Sequence, residues 1–564
     1  MSNPLRIVVV GGVAAGPKAA ARARRLDPNA EITIVERGPV ISYAGCGLPY
    51  YISGLVEDRK ALMASAMGVL RSPAFFAKAK RVRVLVGTEA TAINREAKTL
   101  AVRDVAGGET SALPYDRLII ATGAEPVEPP IPGSDLGNVL RLKEVGDADV
   151  LREHMLGNAC PQVAIVGGGL IGMEMTEAFT ECGSAVTVLV RKPHLLKMLD
   201  PEMAGLVEKR LRQLGVHVML NTRVERLVGD ENGNVASVVT DRGEFPVQLV
   251  LLSIGVRPNV ALAQAAGLEI GTTGGIVVDS QMRTSAPDIL AAGDCVEKRS
   301  AVTKLPCFVP LGSVANKEGR VAGANAVGVT DHFPGVMSTV ALKVFDWNVG
   351  RTGLSETEAE QCGQSVVTAT VAGPDKPHYY PDAKLVVLKL VADPATRRLL
   401  GVQGVGQGEV IKRIDVAVTA LTAGMTVDQV ANLDLAYAPP YSEAMDILIH
   451  GTNVLRNKLD GFLRGVTATE FHRALGAGED LLLLDVRTQD EHDTARIPGS
   501  VLIPLGALRT RAAEVPRDRR VVAYCRTSLR AWEASRMLAG LGCENIEILD
   551  GGILAWPYET DEGV

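Results

Sequence analysis

The chain has 564 residues, 47% hydrophobic and 22% charged, with a net charge of −6. That length exceeds one core and, at roughly 100–200 residues per domain, suggests about three to five units, while the mild charge gives no case for nucleic acid or an anionic membrane as partner. No apolar run approaches the roughly 18–20 residues of a membrane span. A strand-like run, LRIVVV, begins at Leu5 and leaves no room for a secretory leader, so a cytoplasmic location is expected.

The first pattern along the chain is IVVVGGVAAGPKAAARARRLDPNAEITIVERG, residues 7 to 38. A β-branched strand, a glycine turn, a helix-period stretch and a second apolar strand make the βαβ dinucleotide-binding plan. Gly11 and Gly16 are in place, and Val13 stands at the middle glycine position. Glu36, closing the second strand with Arg37 beside it, is placed to take ribose hydroxyls.

Next comes SYAGCGLPYY, residues 42 to 51, with one cysteine, Cys46, among small residues. The strand-to-turn segment LIIATGAEP follows, with Ala121, Thr122 and Gly123 as candidate cofactor contacts. A second βαβ pattern, VAIVGGGLIGMEMTEAFTECGSAVTVLVRK, has the full set Gly167, Gly169 and Gly172. Its second strand closes on Val190, Arg191 and Lys192 in place of a carboxylate. Two cations there suit a ribose 2′-phosphate, so NADPH is expected over NADH. ILAAGDC then ends a strand at Gly293-Asp294, where the Asp294 carboxylate can reach a ribityl hydroxyl or approach a pyrophosphate through water.

The eight cysteines are 46, 160, 182, 295, 307, 362, 525 and 543, with no CxxC pair. This spacing suggests neither a zinc site nor a dithiol motif. Free thiols in a reducing compartment are expected, six of them as small buried hydrophobes.

Residues 5 to about 450 resemble the flavoprotein disulfide reductases with two dinucleotide-binding domains. The resemblance implies FAD on a domain formed by residues 1–113 and 247–325, NAD(P)H on 114–246, and a dimerisation domain over 326–452. Most of these enzymes carry a CxxxxC pair beside the flavin, whereas residues 1 to 159 here hold Cys46 alone. SYAGCGLPYY and GGVAAG are similar to the single-cysteine branch: coenzyme A-disulfide reductases, NAD(P)H-dependent persulfide reductases and related NADH oxidases and peroxidases.

A thiolate without a resolving partner must bond to what arrives, as a mixed disulfide or a sulfenic acid. A helix opening at Cys46 would lower its pKa, and Ser42 could donate a hydrogen bond nearby. Lys18, Arg22 and Arg25 can share one helix face. In coenzyme A-dependent members, basic residues of this helix hold the nucleotide phosphates, and Arg22 and Arg25 fall at matching positions. Arg71 is a further cation of that kind, and Asn316 a further substrate contact by resemblance. HYYP and AYAPPYS resemble segments whose tyrosines enter the partner subunit's active site, with Tyr379 and Tyr437 the best matches and Tyr380 or Tyr441 the alternatives.

From about residue 465 the pattern restarts after an expected linker, 453–464. VTATEFHRAL suggests a capped helix, LLLLDVRTQDEH a buried strand ending in Asp485 and Arg487, and VVAYC a strand ending at Cys525. Residues 465–564 resemble a rhodanese (sulfurtransferase) domain, with Arg496 where a histidine is usual. Its loop Cys525-Arg526-Thr527-Ser528-Leu529-Arg530 would aim backbone N–H groups at the cysteine sulfur. Positive charge from Arg526 and Arg530 would help the loop stabilise a persulfide anion. Related phosphatase loops are typically one residue longer, which favours sulfur.

The expected architecture is α/β: two Rossmann-like domains, an α+β dimerisation domain and a C-terminal rhodanese-like α/β domain. The expected function is FAD-dependent, NAD(P)H-driven reduction of coenzyme A-linked persulfides, polysulfides or disulfides, in a homodimer whose active site is shared across the interface. The alternatives are an NADH oxidase or peroxidase cycling through cysteine sulfenic acid, and a redox sensor or sulfur carrier with structural FAD.

Overall fold

The computed structural model describes residues 3–157 and 161–562, so Cys160 lies outside the described residues. The chain forms two compact units, Met1–Leu189 with Thr222–Val336, and Val190–Asn221 with Met337–Val564.

The first unit is built on two parallel sheets. In the first, strands run in the order Ile289–Ala291, Arg117–Ile120, Arg6–Val10, Glu31–Val35, Arg83–Leu85. Val8 faces Thr33 on one side and Leu118 on the other. The run Val8-Val9-Val10 is buried because helices and loops cover both faces, which is why it reads as a continuous apolar run. In the second sheet, Gln162–Val166 lies between Ala185–Leu189 and Leu249–Leu252, and Leu249–Leu252 pairs with Val139–Leu140. The boundaries expected at 113/114 and 246/247 cut across this pairing. Strand Arg117–Ile120 completes the first sheet, and Leu249–Leu252 belongs to the second. Parallel strands pair through long crossovers, so sheet membership does not follow chain proximity.

In the second unit, five antiparallel strands run in the order Val340–Val344, Trp347–Gly353, Leu399–Gly406, Leu385–Ala392, Val367–Pro374. Helices Val410–Thr422 and Ile447–Leu459 share its apolar core. A second, parallel sheet follows, in the order Gly465–Val466, Ile546–Leu549, Arg520–Tyr524, Leu481–Asp485, Val501–Leu502. The segment 453–464 is not an open linker, since helix Ile447–Leu459 runs through its first half. Near the helix end, Lys458 Nζ bonds the Asp550 carboxylate at 2.5 Å and the Thr368 carbonyl at 2.8 Å.

Helix Pro201–Gln213 also belongs to this unit. Its Lys209 Nζ donates to the carbonyls of Trp556 (3.3 Å) and Tyr558 (3.2 Å), and its Glu202 accepts from Thr469 Oγ1 at 2.9 Å. Between that helix and the antiparallel sheet sits Lys389, whose side chain is fully buried. Its ammonium meets Glu202, Glu356 (2.5 Å) and Asp200 (3.0 Å). Burial opposes ionisation of Asp200, but Lys389 and hydrogen bonds from Thr357 and Gln403 outweigh it and hold the carboxyl to about 2. One cation cannot neutralise three carboxylates, and burial pushes the Glu356 pKa up.

Removing the ammonium strands these carboxylates in a buried setting. Lys389→Met is expected to destabilise the chain by about 3–5 kcal/mol, as when one partner of a buried ion pair is lost. The exposed control Lys384→Met should stay within about 0.5 kcal/mol. Denaturant melts of the two variants measure the difference, and equal effects would contradict this role for Lys389.

Candidate functional site

The first glycine turn joins strand Arg6–Val10 to helix Ala15–Leu26. A Cβ on Gly11 would stand 2.1 Å from the Ala121 carbonyl oxygen, and one on Gly16 would stand 1.9 Å from the Gly11 carbonyl oxygen. The protein backbone itself demands glycine at both places. Glu36 accepts from the N–H groups of Gly12 (2.6 Å) and Gly38 (2.7 Å), which fixes its carboxylate at the strand end, with Arg37 exposed beside it. Thr122 Oγ1 donates to the Asn259 carbonyl at 2.6 Å and Asn259 N–H to the Gly123 carbonyl at 2.9 Å, holding the turn after Ala121. Asp294 is buried away from solvent at Oδ1, which has no hydrogen-bond partner among the described residues. A glycine cradle, an anchored carboxylate and an orphaned acceptor together fit the pyrophosphate, ribose and ribityl groups of FAD.

At the second turn a Cβ on Gly167 would meet the Ser253 carbonyl oxygen at 2.2 Å, and one on Gly172 the Gly167 carbonyl oxygen at 2.3 Å. A Cβ on Gly169 would meet nothing within 4 Å. Protein packing does not require glycine there, so the open space at the head of helix Leu170–Glu181 suits a ligand phosphate. Arg191 and Lys192 are exposed.

Cys46 is exposed, in a single 3₁₀ turn, Gly45–Gly47, that leads into helix Leu48–Ile52. Ser42 ties this loop to the first glycine turn, its N–H donating to the Gly12 carbonyl at 2.7 Å. A Cβ on Gly312 would stand 3.9 Å from Cys46 Sγ, so the first turn of helix Gly312–Ala326 abuts the sulfur. Asn316 lies one turn further on, its Nδ2 donating to the Gly312 carbonyl at 2.8 Å.

The expected depression of the Cys46 pKa is not what the surroundings produce. The sulfur is recessed enough within an otherwise exposed residue that desolvation raises its pKa, and Glu174 and Asp294 add to the rise. Glu174 is itself raised to about 7 by burial and by Glu177. Sequence reasoning passed over Glu174 because it reads as one more polar position of the second glycine-turn helix.

Lys18 and Arg25 are exposed and Arg22 half-buried on the first helix, and Arg22 Nε is shielded from solvent with no hydrogen-bond partner among the described residues. Lys80, from helix Pro73–Lys80, joins them. Desolvation lowers its pKa first, and the charges of Arg25 and Lys18 lower it further. Lys80 was missed because the helix carrying it is remote in the chain. Arg71 instead directs Nε to the Met63 carbonyl (3.3 Å) and Nη2 to that of Leu62 (3.4 Å).

Within the second unit, Tyr379 and Tyr437 are exposed and near neighbours. Desolvation and Tyr437 raise the pKa of Tyr379, which keeps its phenol protonated and able to donate. Tyr380 is placed differently, 5.8 Å from Lys376 Nζ at its ring centroid.

Strand Arg520–Tyr524 delivers Cys525, 1% exposed, to a loop closed by helix Leu529–Gly540. Ser528, at φ +93°, donates its N–H to Cys525 Sγ at 3.1 Å and its hydroxyl to the Leu549 carbonyl at 3.1 Å. Arg530 stands near enough to Cys525 to feel its charge and is gripped through both terminal nitrogens by Glu491, each contact 2.7 Å. Arg526 points to solvent. Asp485 and Arg487 form a buried pair bonded to Tyr524 and His492, away from the loop sulfur's own contacts. Arg496 lies 3.8 Å from Asp561. Of the six cysteines expected to be buried, Cys160 lies outside the described residues, Cys295 and Cys543 are buried, Cys182 and Cys307 are half-buried, and Cys362 is exposed.

Comparison with known families assigns residues 5–314 to the description pyridine nucleotide-disulphide oxidoreductase. The chain belongs to that family. Its dimerisation domain matches residues 339–449, and a rhodanese-like domain matches 467–558. Members are flavoproteins that use FAD and NAD(P)H, so those are the cofactors of this oxidoreductase. The chain is 39% identical, over 80% of its length and 98% of the relative's, to the NAD(P)H sulfur oxidoreductase (CoA-dependent) of Pyrococcus abyssi. It is similar along 98% of its length to the solved NAD-dependent persulfide reductase from A. fulgidus, all of which is covered (44% identity, TM-score 0.93). It is likewise similar to the reduced CoADR-RHD of Bacillus anthracis, with 98% of each chain covered (36% identity, TM-score 0.91).

Because Glu174 adds negative charge near Cys46, Glu174→Gln is expected to shift the midpoint of Cys46 alkylation, followed against pH, to lower values. An unchanged or higher midpoint would show that Cys46 does not feel this carboxylate.

Proposed function

We propose that this chain is an FAD-dependent NAD(P)H reductase of coenzyme A-linked persulfides, polysulfides or disulfides, acting through Cys46 and fused to a sulfurtransferase domain centred on Cys525. The observation that carries the reading is the pairing of two unlike thiols in one chain: an exposed Cys46 against a helix start, and a buried Cys525 in an N–H and arginine cradle. In this reading 3–123 and 253–336 hold FAD, the second glycine turn holds the nicotinamide dinucleotide, and Arg191 favours a 2′-phosphate. The cationic face of Lys18, Arg22 and Arg25, extended by Lys80, takes the coenzyme A phosphates, with Asn316 as a lesser contact, while Arg71 is occupied by the Met63 and Leu62 carbonyls.

The Cys46 thiolate attacks the coenzyme A-bearing sulfur of a persulfide, releasing hydrosulfide and leaving a mixed disulfide. When bound, FAD supplies the route by which two electrons from NAD(P)H reach that disulfide, returning the thiol and freeing coenzyme A. The sum is one persulfide, one NAD(P)H and one proton going to coenzyme A thiol, hydrogen sulfide and NAD(P)+. Tyr379, polarised by Tyr437, gives the proton to a leaving thiolate. Cys525 carries sulfane sulfur as a persulfide, with Ser528 N–H and Arg530 stabilising its anion.

The active unit in this proposal is a homodimer, supported by the match to a dimerisation domain, with the tyrosine pair entering the partner's flavin site. A cytoplasmic location accords with the free cysteines. Among the described residues no helix is long and apolar enough to cross a membrane. The NADH oxidase or peroxidase reading is weaker because neither the cationic face nor the rhodanese-like domain has a use in it. A sensor with structural FAD has no need of the second glycine turn.

The test is anaerobic NAD(P)H oxidation with coenzyme A persulfide. Turnover is expected in the parent, a loss of at least a hundredfold in Cys46→Ser, and retention in Cys525→Ser when preformed persulfide is supplied. A parent inert without oxygen but active in air would favour the oxidase.

A further inference from the structure

The turn that presents Asp294 is held in an unusual way. Gly293 stands at φ +90°, and both of its backbone polar groups meet buried ionisable side chains, the carbonyl accepting from the Val296 N–H (3.2 Å) as well. Glu318 Oε2 accepts from Gly293 N–H at 2.8 Å, and Lys298 Nζ donates to the Gly293 carbonyl at 2.8 Å. The two side chains lie 3.6 Å apart and are 0% and 1% exposed. They come from different elements, Lys298 from strand Lys298–Arg299 and Glu318 from helix Gly312–Ala326, the helix whose first turn abuts Cys46.

A buried ion pair is a poor device for stability alone, because the desolvation of both charges offsets much of their attraction. Backbone N–H and C=O groups of a turn are ordinarily satisfied by other backbone groups or water. Two buried ionisable side chains on the N–H and C=O that flank one glycine, beyond the backbone donor its carbonyl already has, point to a need for fixed geometry in the peptides on either side of it. The group whose aim that peptide sets is the next residue, Asp294, whose buried Oδ1 has no partner among the described residues. A Cβ on Gly293 would approach the Cβ of Ala15 at 3.1 Å, so the same peptide also packs against the start of the first glycine-turn helix.

We infer that Lys298 and Glu318 are positioning residues for the flavin: they clamp the Gly293 peptide so that the Asp294 carboxylate is held ready for the ribityl hydroxyls. The inference rests on the assignment of Asp294 to the flavin. It adds that affinity for FAD is set by side chains that do not touch it.

The test is a double-mutant cycle read as the rate at which purified holoenzyme releases flavin on dilution, followed by the fluorescence of free flavin. Asp294→Ala is expected to release flavin at least tenfold faster, and Lys298→Met and Glu318→Gln at least fivefold faster. Asp294→Ala combined with Lys298→Met should be no more than twofold faster than Asp294→Ala alone, because the clamp acts through that carboxylate. Should Lys298→Met fail to fold, the isosteric Glu318→Gln takes its place in the cycle. Rate increases that multiply, or clamp variants that release flavin at the parent rate, would overturn the positioning role. Parent-rate release by Asp294→Ala would instead overturn the assignment of Asp294 to the flavin, and the inference with it.

Discussion

Backbone pressed against backbone is the constraint on which the first unit depends. At Gly11 and Gly167 the chain turns from strand to helix so close to the neighbouring strand's exit that a single added carbon would overlap a carbonyl oxygen. The helix carrying Gly312 packs on the first glycine-turn helix in the same manner, with Gly319 against the Ala15 carbonyl and Gly323 against that of Ala19. This closeness leaves the N–H groups at the helix starts facing outward, where a phosphate can take them. It also brings Cys46, Gly12 and Gly312 into one neighbourhood, since Ser42 bonds the first turn and the cysteine loop abuts the helix start. A dinucleotide cradle and a reactive thiol are thereby consequences of one packing rule.

The second unit rests on charge where the first rests on shape. Lys389 draws together a helix contributed by residues 201–213, the antiparallel sheet and the start of helix Glu356–Gln361, and Glu202 passes the contact on to Thr469 of the rhodanese-like domain. With Lys458 bonded to Asp550 and Lys209 bonded to the Trp556 and Tyr558 carbonyls, that domain is docked on its neighbours rather than tethered. Cys525 accordingly occupies a defined place within the unit. Inside the domain, Glu491 grips Arg530 as Lys298 and Glu318 grip Gly293. In both cases a charged group remote in sequence fixes the part that meets the chemistry.

The features legible in the sequence are those written by local chemistry. Two glycine turns between apolar strands, a cysteine without a nearby partner, and a six-residue loop between strand and helix each announce themselves in a short window. The fold class followed from them. What escaped is set by distance along the chain. Strand Arg117–Ile120 belongs to the first sheet because it pairs with Arg6–Val10, which no local pattern reveals. The segment read as a linker is largely helix because its apolar face, Leu455 included, completes a core built elsewhere. The Cys46 pKa is raised where the sequence led to a lowered one because burial desolvates the sulfur and Glu174 and Asp294, on other elements, add negative charge.

The central claim is that Cys46 forms a disulfide with a coenzyme A sulfur. The most direct measurement is the intact mass and tryptic mapping of the protein after anaerobic treatment with coenzyme A disulfide, before and after NAD(P)H. The account predicts a coenzyme A adduct on Cys46 that NAD(P)H removes. An unmodified Cys46 after that treatment, together with sulfenic acid at Cys46 after turnover in air, would contradict it.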